Sequence, residues 1–297
     1  MLSILIPVFN FDVTKLVHAL HAQCTFAEII FEILVFDDGS TDFFKKKNKN
    51  ITNLTNIVYR ELAVNHGRSK IRNLLGKTAK YDYLLYLDGD TIPADDAFIN
   101  KYLQHAVRDK TLCGGIAYDA APPKDESYQL HWHYGRNREV KPATIRNQHP
   151  YHSFLTGNFF IPRAIFLAVL FEEKITGYGH EDTVFGFALK TNHYPILHID
   201  NPVTHLGLEP AATYLKKSRK AISNLVFLQK EAEFTSGLHT KLLSTYDRIN
   251  HLGLSPLYRL FYRLAKKPIE RNLTSKNPSL FLFDLWKLGE LLVFMQD

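Results

Sequence analysis

Short apolar runs alternate with stretches of helical spacing through the first third of the chain. These runs are nearly uninterrupted and bounded by turn residues, which predicts strands at 2–8, 29–36, 57–60 and 83–87. Apolar residues at helical spacing lie between the strands, and Pro93 is predicted to begin a further helix that ends at Val107. This order predicts an α/β fold with a Rossmann-like, mostly parallel sheet and helices on both of its faces.

The pattern changes after residue 118. Residues 119–152 have no clear periodicity, and so long an irregular stretch is more often functional than idle in a compact domain. Regular elements return at 157–162, 164–171, 182–189 and 195–199. From Glu209 onwards the pattern is helical throughout. We therefore predict an α/β domain at 1–208 and a helical C-terminal extension at 209–297.

Composition is typical of a soluble globular protein, with 297 residues of which 45% are hydrophobic and 22% charged. The net charge of +6 favours phosphate-bearing ligands or an anionic surface. Cys24 and Cys113 are isolated, which is typical of buried thiols in a reducing compartment. We find neither a secretory signal nor the ~18 uninterrupted apolar residues of a spanning helix, so we expect a cytosolic protein.

Two carboxylates flank a glycine directly after the fourth predicted strand, in Asp88-Gly89-Asp90. Gly89 is expected to turn the backbone sharply, so that both acids point beyond the edge of the sheet where open α/β folds bind ligands. Oxygen ligands there suit Mg²⁺ or Mn²⁺, whose shell is commonly completed by phosphate oxygens. The alternative is a pair of solvated turn acids, since Asp and Gly are ordinary turn residues.

Other polar residues follow the same edge. Asp38 ends the second strand, where it could bind a base or ribose, or could instead form an Asx turn or helix cap. Arg68 and Arg72 lie in the first turns of a helix, a position favourable for anions, although surface arginines are commoner. The turn after the first strand, 7–10, contains no glycine, which disfavours dinucleotide binding.

Glu181 and Asp182 are predicted in the first turn of a helix that follows Gly177-Tyr-Gly179. Acids stabilise a helix N-terminus, so a purely structural role is one interpretation. The other is a general base whose pKa is tuned at the mouth of a cleft. His205 follows the last predicted strand, and this position alone does not indicate a function.

In order, the segments 3–10, 36–42, 65–73, 87–90 and 177–182 resemble family 2 glycosyltransferases, which are inverting enzymes with the GT-A fold. The resemblance covers roughly residues 1–208, which would be the catalytic domain. Gly177-Tyr-Gly-His-Glu-Asp182 with a later histidine is similar to the active site of the polysaccharide polymerase and galactosyltransferase type.

The resemblance implies a role for each matching residue on the donor side. Pro7 and Phe9 would frame the donor base and Asp38 would hydrogen-bond it. Arg72 would lie beside the donor, although Ile71 replaces the small residue that usually precedes this arginine. Asp88, with Gly89, would contact the ribose.

The resemblance also implies the roles of the metal ligands and the catalytic residues. Asp90 would bind the metal directly, Asp88 would hold it through water, and His205 would add a contact. Asp182 would be the catalytic base and Glu181 an acceptor contact.

The implied function is inverting transfer of a sugar from a nucleotide-diphosphate donor, expected to be a UDP-sugar, with Mn²⁺ or Mg²⁺. The acceptor would be a hydroxyl of a glycan or lipid-linked molecule in cell-surface polysaccharide synthesis, and no nucleic acid is expected as a partner. One alternative is a metal-dependent nucleotidyltransferase, although the basic, glycine-rich triphosphate loop of such enzymes is missing. The other is a sugar-nucleotide-binding protein without turnover.

A helix is predicted to begin at Ser255-Pro256. Its apolar residues follow helical spacing and are Leu257, Leu260, Phe261 and Leu264. Basic residues outnumber acids within 255–276. This helix could dock on the catalytic domain or on a second subunit, which we favour, or could lie peripherally on the anionic inner face of a membrane.

Overall fold

The computed structural model describes residues 1–231 and 240–296, which form two compact units. The first unit comprises Met1–Asp119, Glu139–Thr176 and Glu181–Gly207. The second comprises Ala120–Arg138, Gly177–His180 and Leu208–Asp297. The division at 208 and 209 between an α/β domain and a helical extension stays a prediction.

A sheet of seven strands forms the centre of the first unit, in the order β3-β2-β1-β4-β8-β6-β9. Only β8 runs antiparallel to its neighbours, so the predicted mostly parallel sheet is confirmed within the described chain. Its strands are β1 (Leu2–Val8), β2 (Phe31–Asp37), β3 (Ile57–Glu61), β4 (Tyr83–Leu87), β6 (Thr111–Cys113), β8 (Asn158–Pro162) and β9 (Ile196–His198).

Apolar clusters cover both faces of this sheet. Alternate residues of a strand point to opposite faces, so Ile4 and Ile6 enter one cluster while Leu5 enters the other. Burial on both faces explains why these strands appear as uninterrupted apolar runs. The helices of this unit are α1 (Thr14–Phe26), α2 (Asp42–Asn48), α3 (Arg68–Thr78), α4 (Phe98–His105), α6 (Ala143–Arg146), α7 (Arg163–Val169) and α8 (Glu181–Thr191).

A second, three-stranded sheet consists of β5 (Thr91–Pro93), β10 (Val203–His205) and β7 (Ile116–Ala117). The prediction that Pro93 begins a helix is wrong, because this residue lies in β5 and the helix begins at Phe98. An edge strand tolerates proline because its outward side needs no N–H donor. This sheet matters for the site, since β5 directly follows Asp90.

The second unit is helical, which confirms the predicted helical C-terminal part. Its buried centre includes the carboxylate of Glu290, which accepts hydrogen bonds from Arg219, Tyr262 and Lys266. No helix of the described chain has both the length and the apolar character needed to span a bilayer. The helices are α5 (Gln129–Tyr134), α9 (Ala211–Lys230), α10 (Lys241–His251), α11 (Ser255–Leu273) and α12 (Leu280–Phe294).

Candidate functional site

The candidate site lies in the first unit, where Asp90 and His205 meet. The antiparallel pairing of β10 with β5 places His205 opposite Thr91, the residue that follows Asp90. His205 Nε2 lies 3.5 Å from Asp90 Oδ2. The backbone N–H of Leu206 donates to the carbonyl of Asp90 at 2.7 Å, which fixes the two segments together.

Gly207 makes room for the Asp90 carboxylate. A Cβ atom at position 207 would lie 2.4 Å from Asp90 Oδ2, a separation that side chains do not tolerate. The glycine is therefore required here by close packing. Any larger residue would displace the carboxylate or the strand end that carries it.

The charges of Asp90 and His205 stabilise each other. Burial alone would raise the pKa of Asp90, but the hydrogen bond and charge of His205, with the charge of Arg68, lower it to about 2. Burial alone would lower the pKa of His205, yet Asp90, Glu139 and Asp88 raise it. At neutral pH the site therefore contains an ionised carboxylate at Asp90.

Asp88 forms a short ion pair with Arg72. Arg72 Nη2 lies 2.5 Å from Asp88 Oδ1, and the arginine side chain is buried. Ile71 is also buried, so the apolar residue before the arginine packs in the core while Arg72 still reaches Asp88. The predicted proximity of Arg72 to Asp88 is present, while its contact with a donor stays a prediction.

Gly89 does not have the conformational role predicted for it. Its φ angle is not positive, so the turn does not need the conformational freedom of glycine. A Cβ atom at position 89 would lie 3.0 Å from Val13 Cγ1 and 3.2 Å from the carbonyl oxygen of Pro7. The Asp88–Asp90 turn therefore packs closely against the end of β1, and a larger residue at position 89 would have to displace these neighbours slightly.

Asp38 ties the loop before α3 to the end of β2. Its two carboxylate oxygens accept hydrogen bonds from the backbone N–H groups of His66 at 2.7 Å and Gly67 at 2.9 Å. Burial raises its pKa, and these hydrogen bonds lower it only in part. The Asp38 carboxylate therefore fixes this distant loop, rather than forming the Asx turn or helix cap that was the predicted alternative, and base binding by Asp38 stays a prediction.

Pro7 and Phe9 lie at the end of β1 and just beyond it. The Phe9 side chain is 52% exposed, which leaves an aromatic face available for a planar ligand. Pro7 pairs with Phe36 within the parallel sheet. Their predicted role in framing a base stays a prediction.

Glu181 and Asp182 begin α8 but have different environments. Glu181 is buried and forms a salt bridge with Arg68, whose Nη1 lies 2.8 Å from Oε1. Asp182 Oδ1 accepts a hydrogen bond from the backbone N–H of Thr183 at 2.7 Å. Burial and the negative charge of Glu181 raise the pKa of Asp182 to about 6.

Because of these environments, the two acids differ in basicity. For Glu181, burial alone would raise the pKa, but the charges of Arg68 and Arg72 lower it, so Glu181 stays ionised. Asp182 is a stronger base than an ordinary aspartate and is ionised for the most part near pH 7. A carboxylate with a pKa close to the working pH is suited to general-base catalysis.

Two residues near His205 were missed in the sequence. The Tyr118 hydroxyl donates to the Glu139 carboxylate, and the Tyr118 ring centroid lies 5.2 Å from that of His205. Burial raises the pKa of Glu139, and its remaining charge helps to raise that of His205. Tyr118 lies just before the aperiodic stretch 119–152 and Glu139 lies within it, and the length of that stretch was the only signal that pointed to this region.

Asp90 and His205 fit a metal that completes its coordination with substrate. Among residues 1–231 and 240–296, no three His, Cys, Asp or Glu side chains are grouped closely enough to bind an ion by themselves. Mg²⁺ is commonly held by one or two carboxylates plus substrate phosphates rather than by a protein cage. Mn²⁺ also accepts oxygen ligands and tolerates an imidazole nitrogen, whose proton the metal would displace.

Comparison with known proteins gives a family match over more than half of the chain. The model of glycosyl transferase family 2 matches residues 3–169. Chondroitin synthase from Escherichia coli is 28% identical over a match of 220 residues, with 63% of this chain and 32% of that protein covered. The chain therefore spans about a third of that relative's length.

Solved structures with similar folds include a mannosyltransferase from Pyrobaculum calidifontis in complex with GDP-Man and Mn²⁺. It has a TM-score of 0.60 at 11% identity, with 100% of this chain and 88% of that chain covered. S. aureus TarS 1-349 in complex with UDP-GlcNAc has a TM-score of 0.51 at 17% identity, covering 97% and 90%. Glucosyl-3-phosphoglycerate synthase from Mycobacterium tuberculosis, with Mn²⁺, UDP and glucosyl-3-phosphoglycerate, has a TM-score of 0.52 at 15% identity, covering 76% and 79%.

Proposed function

The chain belongs to glycosyl transferase family 2 and is a glycosyltransferase with the GT-A fold, and from that premise we propose that it is a metal-dependent, inverting enzyme. Its donor would be a nucleotide-diphosphate sugar, and its acceptor a hydroxyl group of a glycan or a lipid-linked molecule. The arrangement of Asp90 with His205, and of Asp182 with Glu181, supports this proposal.

The observation that best supports the proposal is the difference in pKa between the two adjacent acids of α8. The pKa of Asp182 is raised to about 6 while that of Glu181 is lowered. Pairs of carboxylates whose environments separate their pKa values are typical of acid–base chemistry. A merely structural helix start would need neither the burial of Glu181 nor its salt bridge with Arg68.

The proposed reaction proceeds in one displacement. Asp182 accepts the proton of the acceptor hydroxyl as its oxygen attacks the anomeric carbon from the face opposite the nucleotide. The bond from that carbon to the diphosphate breaks with the electron pair leaving on the diphosphate oxygen, so the configuration inverts. The transition state has oxocarbenium character, as in glycoside hydrolysis, and a protein nucleophile is unnecessary.

The other residues prepare this step. Asp90 and His205 would hold the metal, which when bound supplies Lewis-acid stabilisation of the departing diphosphate. Arg72 pairs with Asp88 and orients its carboxylate at the same edge of the sheet. Arg68 and Glu181 orient each other, and Glu181 would contact the acceptor.

We propose a UDP-sugar as the donor. UDP or UDP-GlcNAc is named with TarS and with glucosyl-3-phosphoglycerate synthase, whereas GDP-Man is named with the mannosyltransferase. Chondroitin synthase, by its name a polysaccharide-forming enzyme, supports a glycan acceptor. Synthesis of a cell-surface polysaccharide follows as the proposed setting.

The test incubates the protein with a panel of UDP- and GDP-sugars in the presence of Mn²⁺ or Mg²⁺. Two quantities are measured for each sugar nucleotide: the nucleoside diphosphate released and the thermal stabilisation of the protein. A ligand that binds the native state raises its stability. We expect one UDP-sugar to be turned over, with metal required. Stabilisation by GDP-sugars alone would contradict the proposed donor.

Binding without turnover is the second candidate, and Asp182→Asn distinguishes the two. This change removes the base but keeps the side-chain size, so turnover should fall by about 10²–10⁴-fold while donor stabilisation persists. Asp96→Asn, an exposed acid of the same unit, serves as the matched control. No nucleotide release by the wild type, with donor stabilisation kept, would favour a binding protein, whereas equal turnover by the wild type and Asp182→Asn would exclude Asp182 as the base.

A further inference from the structure

Helix α11 has an apolar surface on the side that faces away from its own packing partner. Its buried side contains Tyr262, Ile269 and Leu273, and the Tyr262 ring packs on Gly289 of α12. The opposite side carries four exposed apolar residues, here called the outer strip: Leu257 (65% exposed), Leu260 (48%), Phe261 (45%) and Leu264 (72%).

The outer strip is continuous along the helix. Its members are three or four residues apart, so they form one line on the helix surface. Leu252 and Leu254, just before α11, are also exposed. Single exposed leucines are ordinary, but a contiguous exposed line marks an interaction surface.

Basic residues border the outer strip on one side. Arg263, Lys267 and Arg271, here called the basic flank, are all exposed and follow one another at intervals of four. The acid of this helix, Glu270, faces inward and accepts a hydrogen bond from Trp286 Nε1 at 3.1 Å. Lys266 likewise points inward, to Glu290. The outward side of α11 therefore combines apolar and cationic groups without a carboxylate.

We propose that the outer strip and basic flank bind the surface of an anionic phospholipid bilayer. Leucine and phenylalanine would enter the interface of the bilayer while arginine and lysine contact the lipid phosphates, which is the behaviour of amphipathic interfacial helices. The buried opposite side stays packed on α12, so the helix can lie on the membrane without leaving its unit.

Charge favours a bilayer over a second copy of this chain. A symmetric dimer formed through this surface would bring the same patch of both subunits together, so each basic flank would approach the other. The outward side of α11 offers no acid to compensate that repulsion. A bilayer containing anionic lipids supplies the missing negative charge.

The experiment is co-sedimentation of the full-length protein with vesicles of phosphatidylcholine alone or with about 30 mol% phosphatidylglycerol. We expect binding to the anionic vesicles, with the bound fraction falling sharply as NaCl rises from about 0.1 M to about 1 M because the salt screens the charges. Equal binding to both vesicle types, or none to either, would overturn the proposal.

Two sets of variants separate the contributions. Leu257→Glu with Leu264→Glu should weaken vesicle partitioning by about tenfold or more, because both side chains leave the interface. Arg263→Gln with Lys267→Gln should weaken it by about fivefold for each charge removed. The matched controls are Phe26→Ser and Lys46→Gln with Lys49→Gln, which alter exposed apolar and basic residues of the first unit.

All these positions are exposed, so the substitutions should change the thermal unfolding temperature little. An unchanged unfolding transition also shows that the variants are folded. Turnover with a water-soluble acceptor should also be unchanged, which keeps this proposal distinct from that of the catalytic function. If the wild type is a dimer without lipid and Leu257→Glu with Leu264→Glu makes it a monomer, the surface joins two copies and the membrane proposal is wrong.

Discussion

His205 lies directly across from Thr91 in an antiparallel pair, and its Nε2 is 3.5 Å from the carboxylate of Asp90. A short strand near the end of the first unit thus supplies one partner, and the turn after β4 supplies the other. The Asp90 carboxylate that results is ionised and close to an imidazole, which is the chemistry expected of a divalent metal site completed by phosphates.

The first prediction concerns this pair. Asp90→Asn and His205→Ala should each reduce kcat/KM by at least about a hundredfold, because each removes a proposed ligand of the ion that stabilises the departing diphosphate. The measurement is turnover titrated with Mn²⁺, together with calorimetric binding of Mn²⁺ and UDP. Asp96→Asn should behave as the wild type. Unchanged metal dependence in Asp90→Asn would remove Asp90 from the metal site.

The second prediction concerns the acidic limb of the pH profile. As the proposed base, Asp182 would act only when deprotonated, and its pKa is raised to about 6, so kcat/KM should fall as the pH drops below that value. At pH 5 roughly a tenth of the maximal rate should remain. Glu181→Gln removes a charge that raises this pKa and should move the limb to lower pH. A limb that does not move in Glu181→Gln would assign the titration to another group.

The third prediction concerns Gly207. Gly207→Ala should lower kcat/KM by about tenfold or more, since the new Cβ displaces the Asp90 carboxylate from the edge of the sheet. Gly253→Ala is the control, because nothing lies near its Cβ and its positive φ affects only stability. Kinetics and thermal unfolding of both variants check this. Full activity in Gly207→Ala would show that the position of Asp90 tolerates displacement.

The fourth prediction concerns stability at acidic pH. His198 Nε2–H donates to the Pro150 carbonyl at 2.9 Å, and Nδ1 accepts from Arg146 at 2.8 Å, so the buried ring is neutral. Burial, with the charge of Arg146, lowers its pKa to about 4. The unfolded chain takes up the proton first, so the free energy of unfolding should fall as the pH drops from about 6.5 to about 4, by about 3 kcal/mol in total.

The measurement for this prediction is urea unfolding at several pH values. His198→Gln removes the titrating group, so the loss of stability across this pH range should be smaller than in the wild type, although the variant is less stable at pH 7. His193→Gln, in an exposed turn, is the control. An identical pH slope in His198→Gln and the wild type would contradict the role of His198.

The secondary-structure elements that could be predicted from the sequence are those whose pattern of apolar residues is enough to define them, without knowledge of their tertiary contacts. The strands Leu2–Val8 and Tyr83–Leu87 have the predicted bounds, because burial on both faces leaves a continuous apolar run. Pro93 was misassigned because its tolerance depends on its place at a sheet edge, which arises only from pairing with β10.

The site was predictable as a set of residue types but not as a geometry. The acids at the ends of β2 and β4 share one edge because parallel strands must end on the same side. The contact of Tyr118 with Glu139, and the close packing around Gly89, depend on segments that no local pattern connects. The lowered pKa of Glu181 likewise depends on Arg68, more than a hundred residues earlier.

The late position of β10 in the chain has a consequence for biosynthesis. The segment matched by the family ends at residue 169, before Glu181, Asp182 and His205. A polypeptide still emerging from the ribosome can pair β1 with β4 and expose Asp90 long before His205 has been translated. Pairing of β1 with β4 and completion of the Asp90–His205 pair are therefore separated in time during synthesis.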